Sequence, residues 1–343
     1  MHTNSKLNEL FVKASPNVLI TNHCNQSCPS CFAKNIMKDK SVSQEMSIPD
    51  LKILIKKLRG YGVGFIKIFG GEPTLHSKLE EVIRLCLANF SYIQLFTNGI
   101  FSKEVKELLI KYCARIRFTF NMLTPMVLYN KKIRNEFIQQ ALFFSRQTKI
   151  TLSFTLLQTF DIANIVNMFA EVIPHAYEVR IGASNPLKGG INYYTTGQYR
   201  SLGSKVMEFI HAIRMKNNKL NVFLDCGYVR CMFSNSQVDE LTRLGANKES
   251  WGCPVGTFDI QTNLKAISCY PLSNDKVVDI KKKDYWSKLI FHQLSLQKEH
   301  LPSMCKTCPH HGYEKDKCTG PCIAFGMNLK ERAPGQALGN SIH

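Results

Sequence analysis

Short apolar runs alternate with longer amphipathic stretches through the first half of the chain. The run Asn17-Val18-Leu19-Ile20-Thr21 reads as a buried strand, and comparable runs predict strands over 17–22, 64–69, 92–97, 115–120, 150–156 and 177–182. Between them, apolar positions recur at helical spacing over 49–59, 77–89, 102–112, 131–147 and 162–172. Ser47-Ile48-Pro49-Asp50 supplies a cap and an early proline, and Ser102 precedes Lys103-Glu104, so both starts are signalled locally. A short amphipathic helix is expected over 5–14, ahead of the first strand. Strand–helix alternation with right-handed crossovers gives a parallel sheet covered by helices. Six such units are too few to close an eight-fold barrel. The fold class is therefore α/β, as a partial (β/α)6 barrel.

A helix over 197–216 follows, and then the pattern changes. From 221 the segments are short, turn-rich and dotted with cysteines. Phe258–Cys269 reads as a hairpin whose turn sits near Thr262-Asn263, where Asn tolerates positive φ. A boundary near 217–222 divides the chain into an N-terminal extension (1–16), the partial barrel (17–217), a small cysteine-rich C-terminal domain (218–328) and a tail (329–343). From Glu331 on, that tail has little to pack and is expected to be mobile.

The chemistry-bearing residues gather at strand ends. Strand one runs into Cys24-Asn25-Gln26-Ser27-Cys28-Pro29-Ser30-Cys31, three thiols at C-x3-C-x2-C spacing. Strand two leads to Gly70-Gly71-Glu72-Pro73, strand three to Thr97-Asn98-Gly99, strand four to Asn121, and strand six to Ala183-Ser184-Asn185-Pro186. In parallel α/β sheets the working loops collect at the carboxyl ends of the strands, so one rim carries a metal loop and two glycine turns. Three thiolates on one short loop hold three corners of a compact metal centre and leave a fourth open. Structural zinc sites usually bring two pairs of ligands, whereas closely spaced cysteine runs hold iron–sulfur clusters. In the Gly70–Pro73 turn the glycines let backbone approach a ligand closely, Glu72 is an anionic acceptor and Pro73 fixes the turn.

Composition narrows the class. Apolar content of 44% and charged content of 20% are those of a globular chain. No run of about 18 apolar residues exists, so no membrane partner is expected. Met1-His2-Thr3-Asn4-Ser5-Lys6 has no signal-peptide core, and a cytoplasmic location is the expectation. A net charge of +18 raises a nucleic-acid reading, but the lysines spread over every expected helix, as an AT-rich genome would produce, and a nucleic-acid partner is not expected. Thirteen cysteines in a reducing compartment favour metal ligation over disulfides.

The opening loop, with Phe32 and Ala33 after it, resembles the signature of the radical S-adenosylmethionine (radical SAM) enzymes, although Ser30 stands where the family often places an aromatic residue. The resemblance implies that Cys24, Cys28 and Cys31 bind a [4Fe–4S] cluster. Its fourth iron would chelate the amino and carboxylate groups of SAM. Reductive cleavage would then give methionine and a 5′-deoxyadenosyl radical that abstracts hydrogen from substrate. It implies further that Gly70, Gly71, Glu72 and Pro73 receive the SAM ammonium group and that Thr97 and Asn98 lie in the next SAM-facing turn. Asn121 would then stand near the ribose, and Arg180 and Ser184 would meet the SAM carboxylate or the substrate.

The later cysteines resemble that family's auxiliary-cluster extension (SPASM, or the shorter twitch form). Cys253-Pro254-Val255-Gly256 and Cys269 look like its first half, and Cys305-x2-Cys308-x9-Cys318-x3-Cys322 like its second. The x9 spacing exceeds the usual five, and no cysteine follows Cys322. One or two auxiliary [4Fe–4S] clusters are implied. The preferred assignment is one on Cys253, Cys269, Cys322 and Cys231, and another on Cys305, Cys308 and Cys318 with Cys226 or an open position as fourth ligand. Structural zinc on the same thiolates is the alternative. His310-His311 offer another ligand. Cys86 and Cys113 read as small hydrophobes, and His23 and His76 as structural residues or proton relays.

The expected function is radical SAM chemistry on a peptide or protein, in the manner of a peptide maturase. The expected partners are a reductant protein such as flavodoxin or ferredoxin and the substrate. One alternative keeps the chemistry but acts on a small molecule such as a sugar, nucleoside or cofactor precursor. A second is a non-catalytic zinc- or nucleic-acid-binding protein.

Overall fold

In the computed structural model, residues 15–28, 31, 33, 34, 37, 43–157, 160–184, 186, 194–247, 251–273, 275–313 and 317–330 are described. The expected helix over 5–14, the residues Pro29, Ser30, Phe32 and Asn185, and the tail from Glu331 lie outside the described residues. The six expected strands form in order as β1 (Asn17–Leu19), β2 (Ile66–Phe69), β3 (Ile93–Thr97), β4 (Ile116–Asn121), β5 (Ile150–Leu156) and β6 (Glu178–Ala183), each parallel to the next. The connections carry α1 (Ile48–Gly60), α2 (Leu79–Asn89), α3 (Lys103–Tyr112), α4 (Pro125–Tyr129), α5 (Lys131–Ser145) and α6 (Ile162–Met168). The caps act as the sequence indicates, since Ser47 accepts from the Asp50 amide and Ser102 from the Val105 amide. Two ends differ. Helix α2 starts at Leu79 rather than 77, because the Glu45 carboxylate takes both the amide and the hydroxyl of Ser77. Helix α6 stops at Met168 rather than 172, ahead of a 3₁₀ turn built on Pro174.

After α7 (Tyr199–Lys216) the sheet continues rather than stopping at six strands. Strand β7 (Asn221–Leu224) pairs in parallel with β6, and β8 (Ala246–Asn247) with β7, the two flanking α8 (Asn235–Arg243). At the opposite edge β9 (Asp259–Ile260) pairs in parallel with β1, while β10 (Lys265–Ile267) and β11 (Val277–Asp279) add antiparallel strands. The order is β11-β10-β9-β1-β2-β3-β4-β5-β6-β7-β8. The sheet is open and mostly parallel, and the cysteine-rich segment, completed by α9 (Tyr285–Glu299), α10 (Ser303–Lys306) and α11 (Ile323–Lys330), supplies strands to both of its edges.

The hairpin forms with one change. Its positive φ falls on Leu264 (62°), not on Asn263. Leu264 is 1% exposed, so burial of its side chain offsets the left-handed backbone, while Asn263 accepts from the Lys265 amide. The main core lies between sheet and helices, where Phe118, Phe120, Phe137, Phe144, Phe154, Phe169 and Phe209 are fully buried and pack ring against ring. Cys86 sits in that core, and burial pushes its thiol up to about 12, as suits a small hydrophobe.

Strand β2 leaves the sheet against the chain that continues β1. The Gly71 amide donates to the Thr21 carbonyl (2.8 Å) and the Glu72 amide to the His23 carbonyl (2.7 Å). A Cβ on Gly71 would stand 2.3 Å from the His23 carbonyl oxygen, so only glycine fits. Replacing Gly71 with Ala should therefore lower unfolding free energy by about 1–3 kcal/mol in denaturant titration. Gly64→Ala, where a Cβ meets nothing within 4 Å, should be near neutral. Equal costs for the two variants would remove this explanation of Gly71.

At the β1–β9 junction the buried Asp259 carboxylate accepts from Asn17 Nδ2 (2.6 Å) and the Tyr270 amide (2.9 Å). Burial pushes its carboxyl up to about 7, against the pull of Asn17, the Tyr270 amide and Lys67. The folded value lies above the unfolded one, so the contribution to stability is whole below about pH 4 and is lost as pH rises through 7. The unfolding free energy of the wild type relative to Asp259→Asn should fall between pH 4 and pH 8. A difference independent of pH would show that the carboxyl does not titrate in the folded chain.

Candidate active site

The Cys24–Cys31 loop is fastened at several points besides its thiols. The Asn22 amide donates to the Gln44 carbonyl, holding the segment after β1 against the approach to α1. Asn25 donates to the Ile100 carbonyl (2.9 Å) and accepts from Asn98 Nδ2 (2.6 Å), tying the loop to the turn after β3. Gln26 accepts from the Met126 amide in α4 (3.4 Å), and its own amide donates to Cys24 Sγ (3.4 Å). The Cys31 amide donates to the Cys28 carbonyl, bending the chain between the last two thiols. Neither Asn25 nor Gln26 stands out in the sequence; their position between ligand-spaced cysteines was the signal for them.

Glu72 joins the three strand exits. It is 1% exposed, and its Oε1 accepts from the Thr74 amide (3.2 Å), the Thr74 hydroxyl (2.8 Å) and the Thr97 hydroxyl (2.7 Å), while Oε2 accepts from the Asn98 amide (2.7 Å). Burial pushes its carboxyl above the usual carboxylate range, opposed by the Asn98, Thr97 and Thr74 donors. The carboxylate thus binds the chain's own turns, and the two glycines before it lie close against the backbone of Thr21, Asn22 and His23, which leads into the cysteine loop. Gly99, at φ 72°, ends the second turn where a Cβ would stand 2.5 Å from the Phe137 ring.

Cys24, Cys28 and Cys31 are all half-buried. Burial pushes each thiol up, Cys28 to about 12, with neighbouring Cys31 and Cys24 adding to the effect there. Among the described residues no three His, Cys, Asp or Glu side chains form a group that could hold a single metal ion. Ligands of an iron–sulfur cluster stand further apart, because each thiolate binds a different iron. Three neighbouring thiols whose ionisation is disfavoured without a cation fit such a centre, with one metal position lacking a protein ligand.

Across the same rim Arg180 pairs with Asp225 (2.5 Å), donates to Ser153 (3.4 Å) and lies over the Phe96 ring. Asp225, just beyond β7, carried no sequence signal, and it occupies the Arg180 guanidinium expected to meet a carboxylate. Asn121 ends β4 opposite Ser153. Ser184 is buried and lines a cavity with Tyr194, Tyr199 and Cys322, so it faces the later cysteines. His76 has both ring nitrogens engaged, Nδ1 accepting from the Lys78 amide and Nε2 donating to the Met46 carbonyl, which makes it structural. His23 contributes its carbonyl to the Glu72 amide.

The later cysteines are half-buried or buried except Cys231, which is exposed. Burial raises Cys226, Cys253, Cys269 and Cys322, and beyond burial Cys269 is opposed by Cys322, Cys253 and Cys226. Cys305 is pushed up to about 11 by burial and then by Cys231, Cys318 and Cys308. Cys322 and Cys253 add to the effect of burial at Cys226, and Cys318 and Cys308 to that at Cys231, which lies in the 3₁₀ turn Arg230–Met232. Beside Cys253, Gln293 donates to the Pro254 carbonyl (2.9 Å) and lies 3.9 Å from Cys253 Sγ, and Gln297 donates to the Cys253 carbonyl (2.9 Å). These two buried glutamines of α9 were invisible in the sequence, where they read as ordinary helix residues.

Comparison with known proteins finds likenesses for part of the chain in sequence and for most of it in fold. Residues 18–143 match the family described as Radical SAM superfamily. Over 95 residues, 27% of this chain, it is 41% identical to 7,8-dihydro-6-hydroxymethylpterin dimethyltransferase of Methanocaldococcus jannaschii, of which 18% is covered. Over 116 residues, 34% of this chain, it is 25% identical to the sporulation killing factor maturation protein SkfB of Bacillus subtilis, of which 27% is covered. The match thus spans well under half the length of either relative. In fold, the chain is similar over 96% of its length to Streptococcus suis SuiB bound to S-adenosylmethionine, with TM-score 0.67, 15% identity and 77% of that chain covered. SuiB bound to the precursor peptide SuiA gives TM-score 0.65 at 16% identity, with 96% of this chain and 76% of that one covered.

Proposed function

We propose that the protein is a radical SAM enzyme acting on a peptide or protein substrate. The observation that carries this reading is the latching of the Cys24–Cys31 loop to the Gly70–Pro73 and Thr97–Gly99 turns through Glu72, Asn98 and Asn25 on one rim. Cys24, Cys28 and Cys31 would hold a [4Fe–4S] cluster, leaving one metal position for the amino and carboxylate groups of SAM. When bound, that cluster supplies the electron that cleaves SAM to methionine and a 5′-deoxyadenosyl radical, which takes hydrogen from the substrate.

The chain's own residues orient and enclose. The Glu72 carboxylate is consumed by internal donors, and the Glu72 and Pro73 carbonyls accept from the Leu75 and His76 amides, so the Gly70 and Gly71 carbonyls are the acceptors of this turn left for an ammonium group. Thr97 and Asn98 hold that turn against the cysteine loop. Arg180, fixed by Asp225 and Ser153, presents a partly covered positive charge at the far side of the rim. A reductant protein of the flavodoxin or ferredoxin kind delivers the electron. The later cysteines hold auxiliary iron–sulfur clusters.

For the substrate, the fold likeness to SuiB covers the cysteine-rich segment as well as the barrel strands, and this supports a peptide. The match to the pterin dimethyltransferase is closer in identity but covers 27% of the chain, and it supports the small-molecule reading. Anaerobic reconstitution with iron and sulfide should load about twelve iron atoms per chain if all three sites fill with four-iron clusters. Dithionite and SAM should then release 5′-deoxyadenosine, and Cys28→Ala should reduce that release to the level of a protein-free control. Continued release from Cys28→Ala, or zinc without iron after anaerobic purification, would overturn the proposal.

A further inference from the structure

We propose that β11, the end strand of the sheet, is a docking edge for an acidic segment of extended peptide, which pairs with it as a further strand while flanking lysines bind its carboxylates. The inference deepens the proposed function and rests on it only for the claim that this peptide belongs to the substrate. The edge itself stands on register, exposure and charge.

The register leaves part of the β11 backbone without a partner. Ala266 stands opposite Val278, and the Ile280 amide donates to the Leu264 carbonyl (3.1 Å), so the main-chain groups of Val278 and Ile280 point to β10. In an antiparallel ladder the alternate residues, here Val277 and Asp279, point the other way. The Asp279 carbonyl accepts from the Lys282 amide (3.1 Å). The Val277 amide and carbonyl and the Asp279 amide have no partner among the described residues, where β11 ends the strand order. Val277 is 44% exposed, while Val278 at 8% seats the strand on the core. An edge with open donors and an open acceptor is a template for another strand.

Charge says which strand fits. Lys276 precedes the open stretch and Lys281-Lys282-Lys283 follows it; all four are exposed, as is Lys265 across the ladder from Asp279. None of the five has an ion pair among the described residues. Two nearby acids are already engaged, Asp275 with His292 (2.5 Å) and Asp279 Oδ1 with the Lys281 amide (2.8 Å). Helix α1 adds charge from elsewhere in the chain. Lys57 Nζ donates to the Lys282 carbonyl (3.4 Å), and Tyr61 packs edge-on against Tyr285 and Trp286, which brings exposed Lys56 and Arg59 near the lysine run. A second copy of the chain, at +18, would bring its own lysines to the edge and be repelled. A nucleic acid would meet the lysines but carries no peptide groups to pair with β11, whereas an acidic peptide meets both. A strand added here lies four strand spacings from β1, about 19 Å, which an extended chain covers in about six residues. A peptide held at this edge thus has the reach to cross to the strand that leads into the cysteine loop.

Peptide binding to the full chain tests this. A fluorescein-labelled peptide of about twelve residues, alternating Glu and Val, should bind saturably in anisotropy at low salt, and the same peptide with Lys for Glu should not. Lys281→Glu, Lys282→Glu and Lys283→Glu together should weaken binding about tenfold. Val277→Pro, which removes an edge donor without changing charge, should weaken it about fivefold, and Val277→Thr should bind as the wild type does. In the wild type, amide hydrogen exchange at Val277 and Asp279 should slow when the peptide is bound. No binding, or binding that leaves exchange at those two amides unchanged, would overturn the proposal. So would a DNA duplex of about twelve base pairs that binds more tightly than the peptide, or a dimer of the chain that Val277→Pro dissolves. None of these readings uses a metal centre. Peptide pairing at β11 in a chain that releases no 5′-deoxyadenosine would uphold the edge and overturn the proposed function.

Discussion

A single buried carboxylate holds the candidate site together. Taking Glu72 out of water is costly, and four hydrogen bonds from Thr74, Thr97 and Asn98 offset that cost. Those donors belong to the turns after β2 and β3. Asn98 extends the connection to Asn25, inside the cysteine loop after β1. Three successive strand exits are thereby fixed relative to one another, although each is a loop that would be free to move if left alone. The backbone bonds from Gly71 and Glu72 to Thr21 and His23 close the same junction from the other side. A metal centre with an open position requires this rigidity, because its thiols gain nothing from one another until a cation arrives.

The sheet explains how a cysteine-rich segment reaches this rim. It does not hang from the end of the barrel strands but contributes β7 and β8 to one edge and β9, β10 and β11 to the other. Pairing of β9 with β1 sets the hairpin beside the strand that leads into the opening loop. Tyr270, directly after Cys269, then packs in one cluster with Leu19, Ile267 and Cys31. The buried Asp259 holds this seam by accepting from Asn17 on β1 and from the Tyr270 amide. The first and the later thiols are therefore connected through a packed seam of the sheet and not through a linker.

Much of the fold was legible because its cause is local. The six barrel strands, their order and the helix caps follow from apolar period, from Ser47 and Ser102, and from the handedness of crossovers. The misjudged details have non-local causes. Ser77 was drawn out of α2 by Glu45, thirty-two positions away in sequence, and Leu264 took a left-handed backbone that only its burial sustains. The turn Gly70–Pro73 was recognisable as a motif, and the close packing of its glycines on Thr21 and His23 is a further constraint that a sequence cannot display.

The sequence by itself determined which residue types stand at which strand ends, and so the three-thiol loop, the two turns beside it and the kind of chemistry they point to. Spacing along the chain carries that information because three ligands on one short loop need no tertiary partner to be neighbours. Partnership among distant residues was decided only by the tertiary structure. Trp251, twenty positions after Cys231, packs on Phe233 beside it and bridges to Cys318, a meeting that no spacing along the chain displays. Arg180 looked free until β7 brought Asp225 to it, and Glu72 looked available until Thr97 and Asn98 closed over it. Burial and cross-strand hydrogen bonds made those choices, and both depend on the order in which the strands assemble.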